Sequence, residues 1–590
     1  MNNDRITLLS VLTLACLVFA SQARAGDRPN ILLIVNDQHN GSVMTQRGYP
    51  YIDTPAIDRL AEQGVTFTRA YTPYPICKAM RYSLMTGMMV SQVCPDCSGK
   101  FQNVTSRKSL GMRMKEAGYA TAYFGKWHVG QTGLDEVADW HGFDTYIDHS
   151  SSKGGDTYTR NNILEWLREE RKEPFFLVAS FMNPHDSAEL GRAVAGFTEG
   201  ITFKDEPVDW QGVDVEKDAP PLPANFGVME NEPEGFTIRR PQGPEERYWS
   251  SHPTAEWTEE DWRRYMWGYD RLVEMMDAHV GQVLDELAKQ GLMEDTVIIF
   301  TSDHGDGHAS HRWNMKMSFY EEAVNIPFIV TWKGRTRAGV IDDQALISNT
   351  LDINTTLLSL AGVEPPEHFR GLDLMPLVLE DPGESVFTPR DFVVTEMLQR
   401  DITGRMVAGP DYKYILFDGG NNPEVLIDLV NDPGELWPVT RDPAYGDKLN
   451  MARQTLRDWV RDTGDTFDIS SMPGTMAAAV PVAAEPKPAA AASDRTWGER
   501  IQIGTAPGCG ADTKGLVRLE ISGKTGDAFR IYLRCGDETA AKCTARITAG
   551  SAEASCEDGP KQFMPGEYRC SAKPLIGNSP AARITSAACE

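Results

Sequence analysis

Long apolar runs are scarce in this 590-residue chain. One lies at the N-terminus, Ile6 to Ala20, and it is too short to span a bilayer comfortably; no later run is long enough, so no integral membrane segment is expected. Positive charge is also in short supply, with 58 Lys and Arg against 84 Asp and Glu and a net charge of −26. That balance argues against nucleic acid or an anionic membrane as a partner. A protein of this charge that binds a small anion has to gather basic side chains locally. Cysteine is the third scarcity, ten in all, and how they are used is informative.

Arg5, the apolar run and the small-residue site Ala23-Arg24-Ala25 read as a signal peptide over residues 1–25, which predicts export to the periplasm or the extracellular space. Thr13-Leu14-Ala15-Cys16 is a poor lipid-attachment sequence. Export makes disulfides available. Cys16 leaves with the signal peptide. Cys509, Cys535, Cys543, Cys556, Cys570 and Cys589 form an even set near the C-terminus. Cys94 and Cys97, in Cys-Pro-Asp-Cys, read as a local disulfide. Cys77 is left over, which suggests a chemical task, with a buried inert thiol as the alternative.

Continuous apolar runs ended by polar residues, at 30–36, 174–179 and 296–301, predict buried strands. An amphipathic helix is expected from the N-cap Thr258, with Glu259, Glu260 and Asp261 in its first turn, to a stop at Gly291. Its stripe, including Trp262, Tyr265, Met266, Tyr269, Val273, Met276, Val280, Leu284 and Leu287, is assigned to core packing alone. Strands alternating with helices imply an α/β domain over 26–389 with a mostly parallel sheet flanked by helices. Short strands at 391–395, 412–417 and 425–429, with a helix near 448–459, mark a smaller antiparallel subdomain over 390–470. An Ala/Pro-rich linker follows at 471–494. Residues 495–590 read as a nearly neutral, Cys-rich β module, either a glycan or surface tether or a packed stability appendage.

Ligands collect at the carboxyl ends of strands in such sheets. Asp37-Gln38 and Asp303-His304-Gly305 fall at two of those ends and can offer oxygen ligands to a divalent cation, although an Asp after a strand is more often a turn former. The sharper signal is Cys77-Lys-Ala79-Met-Arg81, followed by Thr86-Gly87. Further along come Gly125-Lys126-Trp127-His128, Asn183-Pro184-His185-Asp186, Ser302-Asp303-His304-Gly305 and Lys316 with Tyr320-Glu321. In this order, and over about 28–461, these segments resemble the formylglycine-dependent sulfatases.

The resemblance implies an alkaline-phosphatase-like fold and oxidation of Cys77 by a formylglycine-generating maturation enzyme. The hydrated aldehyde has two hydroxyls, one to attack sulfur and one to expel sulfate. It also implies a calcium ion, with magnesium as the lesser alternative, held by Asp37, Gln38, Asp303, His304 and residue 77. Arg81 and Lys126 would hold formylglycine and sulfate. His128 would act as base during release, and His185 and Lys316 would bind sulfate and protonate the leaving alcohol. His311 is a candidate substrate contact and His308 a structural residue. Many members have two adjacent aspartates where this chain has Asp37-Gln38, which puts metal affinity in question. The expected substrate is a sulfated carbohydrate. A phosphodiester or phosphonate monoester hydrolase with the same nucleophile is the enzymatic alternative, and a non-catalytic glycan-binding relative the other. The insert at about 202–248 either shapes specificity or is a surface loop.

Overall fold

The computed structural model divides the chain into two compact units, Met1–Ala479 and Val480–Glu590. It describes residues 28–93, 107–129, 140–149, 155–194, 212–238, 240, 254–383, 385–397 and 402–473, and the backbone of seven strands between 501 and 589. The signal segment, the Cys94–Cys97 pair, most of the linker, part of the 202–248 insert and the side chains of the six C-terminal cysteines lie outside the described residues.

Fourteen strands make up the first unit's described β structure: β1 (Asn30–Asp37), β2 (Gly64–Phe67), β3 (Ala70–Tyr71), β4 (Ala120–Gly125), β5 (Thr145–Asp148), β6 (Phe175–Pro184), β7 (Thr296–Ser302), β8 (Phe328–Trp332), β9 (Val340–Asp342), β10 (Ile347–Ser348), β11 (Val393–Met397), β12 (Gly404–Ala408), β13 (Tyr412–Phe417) and β14 (Glu424–Asp428). Eight form one sheet in the order β5-β4-β6-β1-β7-β8-β2-β9. The first five run parallel. Beyond them β8 is antiparallel to both β7 and β2, which makes the sheet mixed.

The unbroken apolar run of β1 has a direct cause. Ile31, Leu33 and Val35 face one core, with the helices Cys77–Thr86 and Asn349–Leu360; Leu32 and Ile34 face a second, with the helices Pro55–Gln63 and Glu259–Lys289. All five residues are essentially unexposed, and burying each contributes roughly 1.5–3 kcal/mol before entropy is counted. A strand covered on both faces cannot alternate.

The long helix starts where expected. Thr258 and Asp261 form a reciprocal capping box, and every named residue of its apolar stripe is buried. Assigning that stripe to packing alone was too narrow, because the hydroxyls of Tyr265 and Tyr269 reach polar partners beside the strand ends.

The smaller sheet is antiparallel, β11-β12-β13-β14, with the helix Gly446–Thr463 packed against it through Leu449, Ala452 and Leu456. Its strand β12 was not anticipated. Gly404 and Arg405 interrupt the apolar pattern, and Arg405 is buried only because its guanidinium pairs with Asp465 at 2.7 Å. In the second unit, five strands form an antiparallel sheet and Val517–Ser522 pairs antiparallel with Arg583–Cys589.

Candidate active site

Four parallel strands end side by side, and each delivers a predicted residue. Asp37 closes β1, Asp303 and His304 follow β7, Lys126 and His128 follow β4, and His185 follows β6. Gly125 makes one of these deliveries feasible. Its φ is +108°, and a Cβ there would stand 1.9 Å from the Ser180 carbonyl oxygen, so only glycine lets β4 turn this tightly against β6.

Cys77 is the first residue of the helix Cys77–Thr86 and is 3% exposed. Gly87 ends that helix at φ +71°. Lys316 comes from an irregular loop in which its neighbours Met315 and Met317 hold φ values of 63° and 65°. Methionine does not adopt that conformation cheaply. The strain is matched by a buried Lys316 Nζ placed 3.5 Å from Cys77 Sγ.

The charges interlock. Lys126 Nζ lies 2.7 Å from Asp37 Oδ2. Arg81 reaches Asp37 Oδ2 at 3.2 Å and Asp303 Oδ2 at 3.1 Å, and its Nη1 donates to the Lys126 carbonyl and to Ser180 Oγ. Arg81, Lys126 and Lys316, each no more than 3% exposed, outnumber the two carboxylates. The acidic protein thus carries a buried local excess of positive charge, as binding a small anion requires.

Those charges act on each other's protonation. Burial works against the Asp37 carboxylate, yet the Lys126 and Lys316 ammonium groups hold it well below the ordinary range. Burial also opposes ionisation of Cys77, and Lys126 with Lys316 outweighs it, so the thiol is pushed down. His185 is driven the other way for a base: burial and then the same two lysines hold it well below its usual value, which keeps it neutral. Asp303 is pushed up by burial and by the facing Asp37.

One point in this cluster is shaped for a cation. Ligand atoms of Asp37, Cys77, Asp303 and His304 lie within 4.8 Å of one another. Asp37 Oδ1 and His304 Nε2 are buried there without a hydrogen-bond partner. The His304 ring is oriented for ligation, since Nδ1 lies 2.9 Å from the Gly305 carbonyl and, as its donor, leaves the Nε2 lone pair facing the carboxylates. An unpaired Asp37 oxygen and an unpaired imidazole nitrogen, converging with Asp303, fit a divalent cation, whose charge would also relieve the mutual repulsion of Asp37 and Asp303.

Not every predicted residue joins the cluster as expected. Gln38 stands beside the ligand atoms: its amide oxygen accepts from Lys316 at 3.0 Å and its amide nitrogen donates to Ser187 and Asp306. Arg81 spends its donors on protein oxygens behind the two carboxylates. His311 is a correction. It is fully buried, stacked on Tyr320 at 3.6 Å, with Nε2 turned toward Asn225 and Glu322, which leaves no face for a substrate. His308 is structural, with Nε2 3.0 Å from Asp270. His128 and His185 are half-buried and form the more open edge of the site; His128 hydrogen-bonds Cys77.

Sequence reasoning missed Ser180, Ser187, Tyr265, Tyr269 and Asp306. Only Asp306 carried a visible signal, as a further acid directly after the Asp303-His304-Gly305 segment.

Comparison with known proteins agrees with this geometry. A family model described as Sulfatase matches residues 29–363, and one described as the C-terminal part of N-sulphoglucosamine sulphohydrolase matches 309–462. A Delta 4,5-hexuronate-2-O-sulfatase of Bacteroides thetaiotaomicron is 30% identical over 75% of this chain and 91% of its own length. The solved structure of a 2-O GAG sulfatase covers 74% of this chain and 93% of its own, with 29% identity and a TM-score of 0.62. The phosphonate monoester hydrolase of Agrobacterium radiobacter, at 22% identity over 74% of this chain and 96% of its own and a TM-score of 0.59, shares the fold. With one family model spanning more than half of its length, the chain belongs to the sulfatase family and is a sulfuric ester hydrolase with an alkaline-phosphatase-like fold.

Proposed function

We propose that this sulfatase is exported, acts on sulfated carbohydrates, uses formylglycine made from Cys77, and binds calcium. The observation that carries the reading is the cluster itself. A single buried thiol begins a helix, lies 3.5 Å from Lys316, and shares one ligand group with Asp37, Asp303 and His304. The Cys77 Sγ stands in for the oxygens of formylglycine.

Formylglycine supplies a hydrated aldehyde whose two hydroxyls serve attack and release. Asp37, Asp303, His304 and residue 77 would hold a calcium ion, with magnesium as the alternative, whose positive charge would act on sulfate oxygens and would acidify the nucleophile. The chain's own residues do the rest. Arg81 clamps the two carboxylates, which fixes the ligand set. Lys126, braced on Asp37, presents its remaining N–H groups to nucleophile and sulfate. His128 receives the proton of the second hydroxyl during release. His185 and Lys316 bind sulfate, and Lys316, with its Nζ 3.5 Å from Cys77 Sγ, protonates the leaving alcohol. A sugar alkoxide leaves poorly without a proton, so this acid matters for carbohydrate esters.

The hexuronate-2-O-sulfatase and the 2-O GAG sulfatase among the relatives make sulfated uronate-containing oligosaccharides the first substrates to test. The C-terminal unit is proposed as a tether to glycan or cell surface, without a part in the chemical step. Two measurements test the core of this reading. Mass spectrometry of the peptide carrying residue 77 should show the aldehyde, and a panel of defined sulfated saccharides should show desulfation. Active protein in which Cys77 remains wholly alkylatable would overturn the formylglycine assignment.

A further inference from the structure

Gln38 occupies a position where a second metal-binding carboxylate is the commoner choice, yet its side chain is fully committed elsewhere. Asp306, unexposed, accepts from Gln38 Nε2 at 2.7 Å and from the Tyr265 hydroxyl at 2.9 Å on Oδ2, and from the His308 backbone N–H at 2.8 Å on Oδ1. Ser187 Oγ takes the other amide proton at 3.0 Å. The amide oxygen is then left for Lys316 Nζ at 3.0 Å.

The amide orientation is forced by chemistry. A carboxylate only accepts and an ammonium only donates, so flipping the amide would set oxygen against oxygen and N–H against N–H. An aspartate at 38 would face Asp306 with a second negative charge. The backbone is fixed as well: the Gln38 N–H donates to Asp303 Oδ1 at 3.0 Å, and its carbonyl accepts from the Tyr269 hydroxyl at 2.7 Å.

From this network we infer that Gln38, oriented by Asp306, Ser187 and Tyr265, is a positioning residue for Lys316 and not a ligand of the ion. An ammonium has three tetrahedral N–H bonds. Anchoring one on Gln38 Oε1 fixes the direction of the other two, which are then available to residue 77 and the leaving oxygen. The inference rests on the proposed role of Lys316 as acid, and the experiment separates the two.

Steady-state kinetics would be measured on a sulfated sugar and on nitrophenyl sulfate, with bound calcium quantified on each purified protein by atomic emission. Lys316→Met is expected to lower kcat on the sugar sulfate about 100-fold more than on the aryl sulfate. Gln38→Met and Asp306→Asn should show the same selectivity at about 10-fold, and Tyr265→Phe, the mildest change, at about 3-fold. Calcium content should be unchanged in all four. Gln38→Met combined with Lys316→Met should be no slower than Lys316→Met alone, because the first change acts only through the lysine. Multiplying losses in the double variant would overturn the positioning role. So would calcium lost from Gln38→Met with activity regained at excess calcium, which would put Gln38 on the ion. Equal losses on both esters in Lys316→Met, with the double variant still no slower, would reject the lysine as acid and keep it as the residue that Gln38 positions.

Discussion

Two buried ionic clusters in the first unit look alike by composition and differ in what they leave open. Around the nucleophile, Arg81, Lys126 and Lys316 face Asp37 and Asp303. Where the smaller sheet meets the short helix Glu321–Val324, Lys413 sits 2.7 Å from Glu321 and 2.6 Å from Glu435, with Glu322 and His311 close by. Both offer a group of three or more metal-type ligands within 4.8 Å. In the second cluster the cation is already part of the chain: the Lys413 ammonium lies between its carboxylates and is raised to a pKa beyond the ordinary lysine range by its acidic partners in spite of burial. In the first, the lysines and Arg81 are turned to one side of the carboxylates, and Asp37 Oδ1 and His304 Nε2 remain bare on the other. Ligand count does not distinguish a site from a structural ion network. In the second cluster Glu322 Oε2 and His311 Nδ1 also lack hydrogen-bond partners, but Glu435 has one oxygen on Lys413 and the other on the Glu321 N–H, whereas Asp37 keeps Oδ1 unpaired.

The largest expected effect breaks the first cluster alone. Cys77→Ala should lower turnover by about a million-fold, the scale seen when a nucleophile is removed, with circular dichroism and Tm near wild type. Lys413→Met should do the reverse. Removing the cation leaves Glu321 and Glu435 buried and uncompensated, at a cost of about 3–5 kcal/mol in denaturant unfolding. Residual folded protein should turn over normally. Calcium removal comes next. At a thousand-fold excess over Kd the ion stabilises by about 4 kcal/mol, so chelation should lower Tm and activity together. Asp303→Ala should abolish that calcium response, and Glu435→Gln should leave it intact.

A third buried carboxylate sharpens the contrast because no cation among the described residues pairs with it. Asp277 accepts the backbone N–H groups of Ala56 and Ile57, and burial pushes it up to about 6 despite them. Its folded pKa lies above the unfolded value near 3.9, so the native state binds the extra proton. Its contribution to stability therefore falls as pH rises from about 4 to 6. Asp277→Asn should flatten that part of the stability profile, a difference expected to be about 1–3 kcal/mol at most. The smallest effect concerns the second unit. The cut is best placed after Ala479, because Met472 is packed in the core of the smaller sheet and Ser471 bonds the Phe417 carbonyl. Such a protein should keep its turnover of small sulfated saccharides and lose retention on polymeric sulfated glycan. Loss of small-substrate turnover with a lower Tm would make the unit structural.

The parallel strands and the long capped helix were legible because a strand covered on both faces reads as an unbroken apolar run and a capping box is written in adjacent residues. The site's named residues were legible because they sit in short ordered motifs. Strand β12 was not, since a buried Arg405 reads as surface until Asp465, 60 positions away, is known to pair with it. Tyr265 and Tyr269 were read as packing for a similar reason. Their rings do pack, and only the three-dimensional arrangement shows what the hydroxyls touch. The sequence placed Gln38 beside the metal motif but could not show that Asp306 and Lys316 hold its two ends.

The near-complete enclosure of Cys77 sets a timetable. If Cys77 is converted to formylglycine as proposed, the enzyme that does so has to reach it before folding, because a side chain 3% exposed at the start of a packed helix is out of its reach. The site closes only when β1 pairs with β7, register Asn30 to Thr296 through Asn36 to Ser302. The last of those residues is made 225 positions after residue 77. At synthesis rates of about 5–20 residues per second, that leaves the unmodified cysteine reachable for about 10–45 s before its own sheet can assemble. The long-range order of the strands, usually counted as a delay in folding, would here hold open the interval in which the proposed formylglycine can be made.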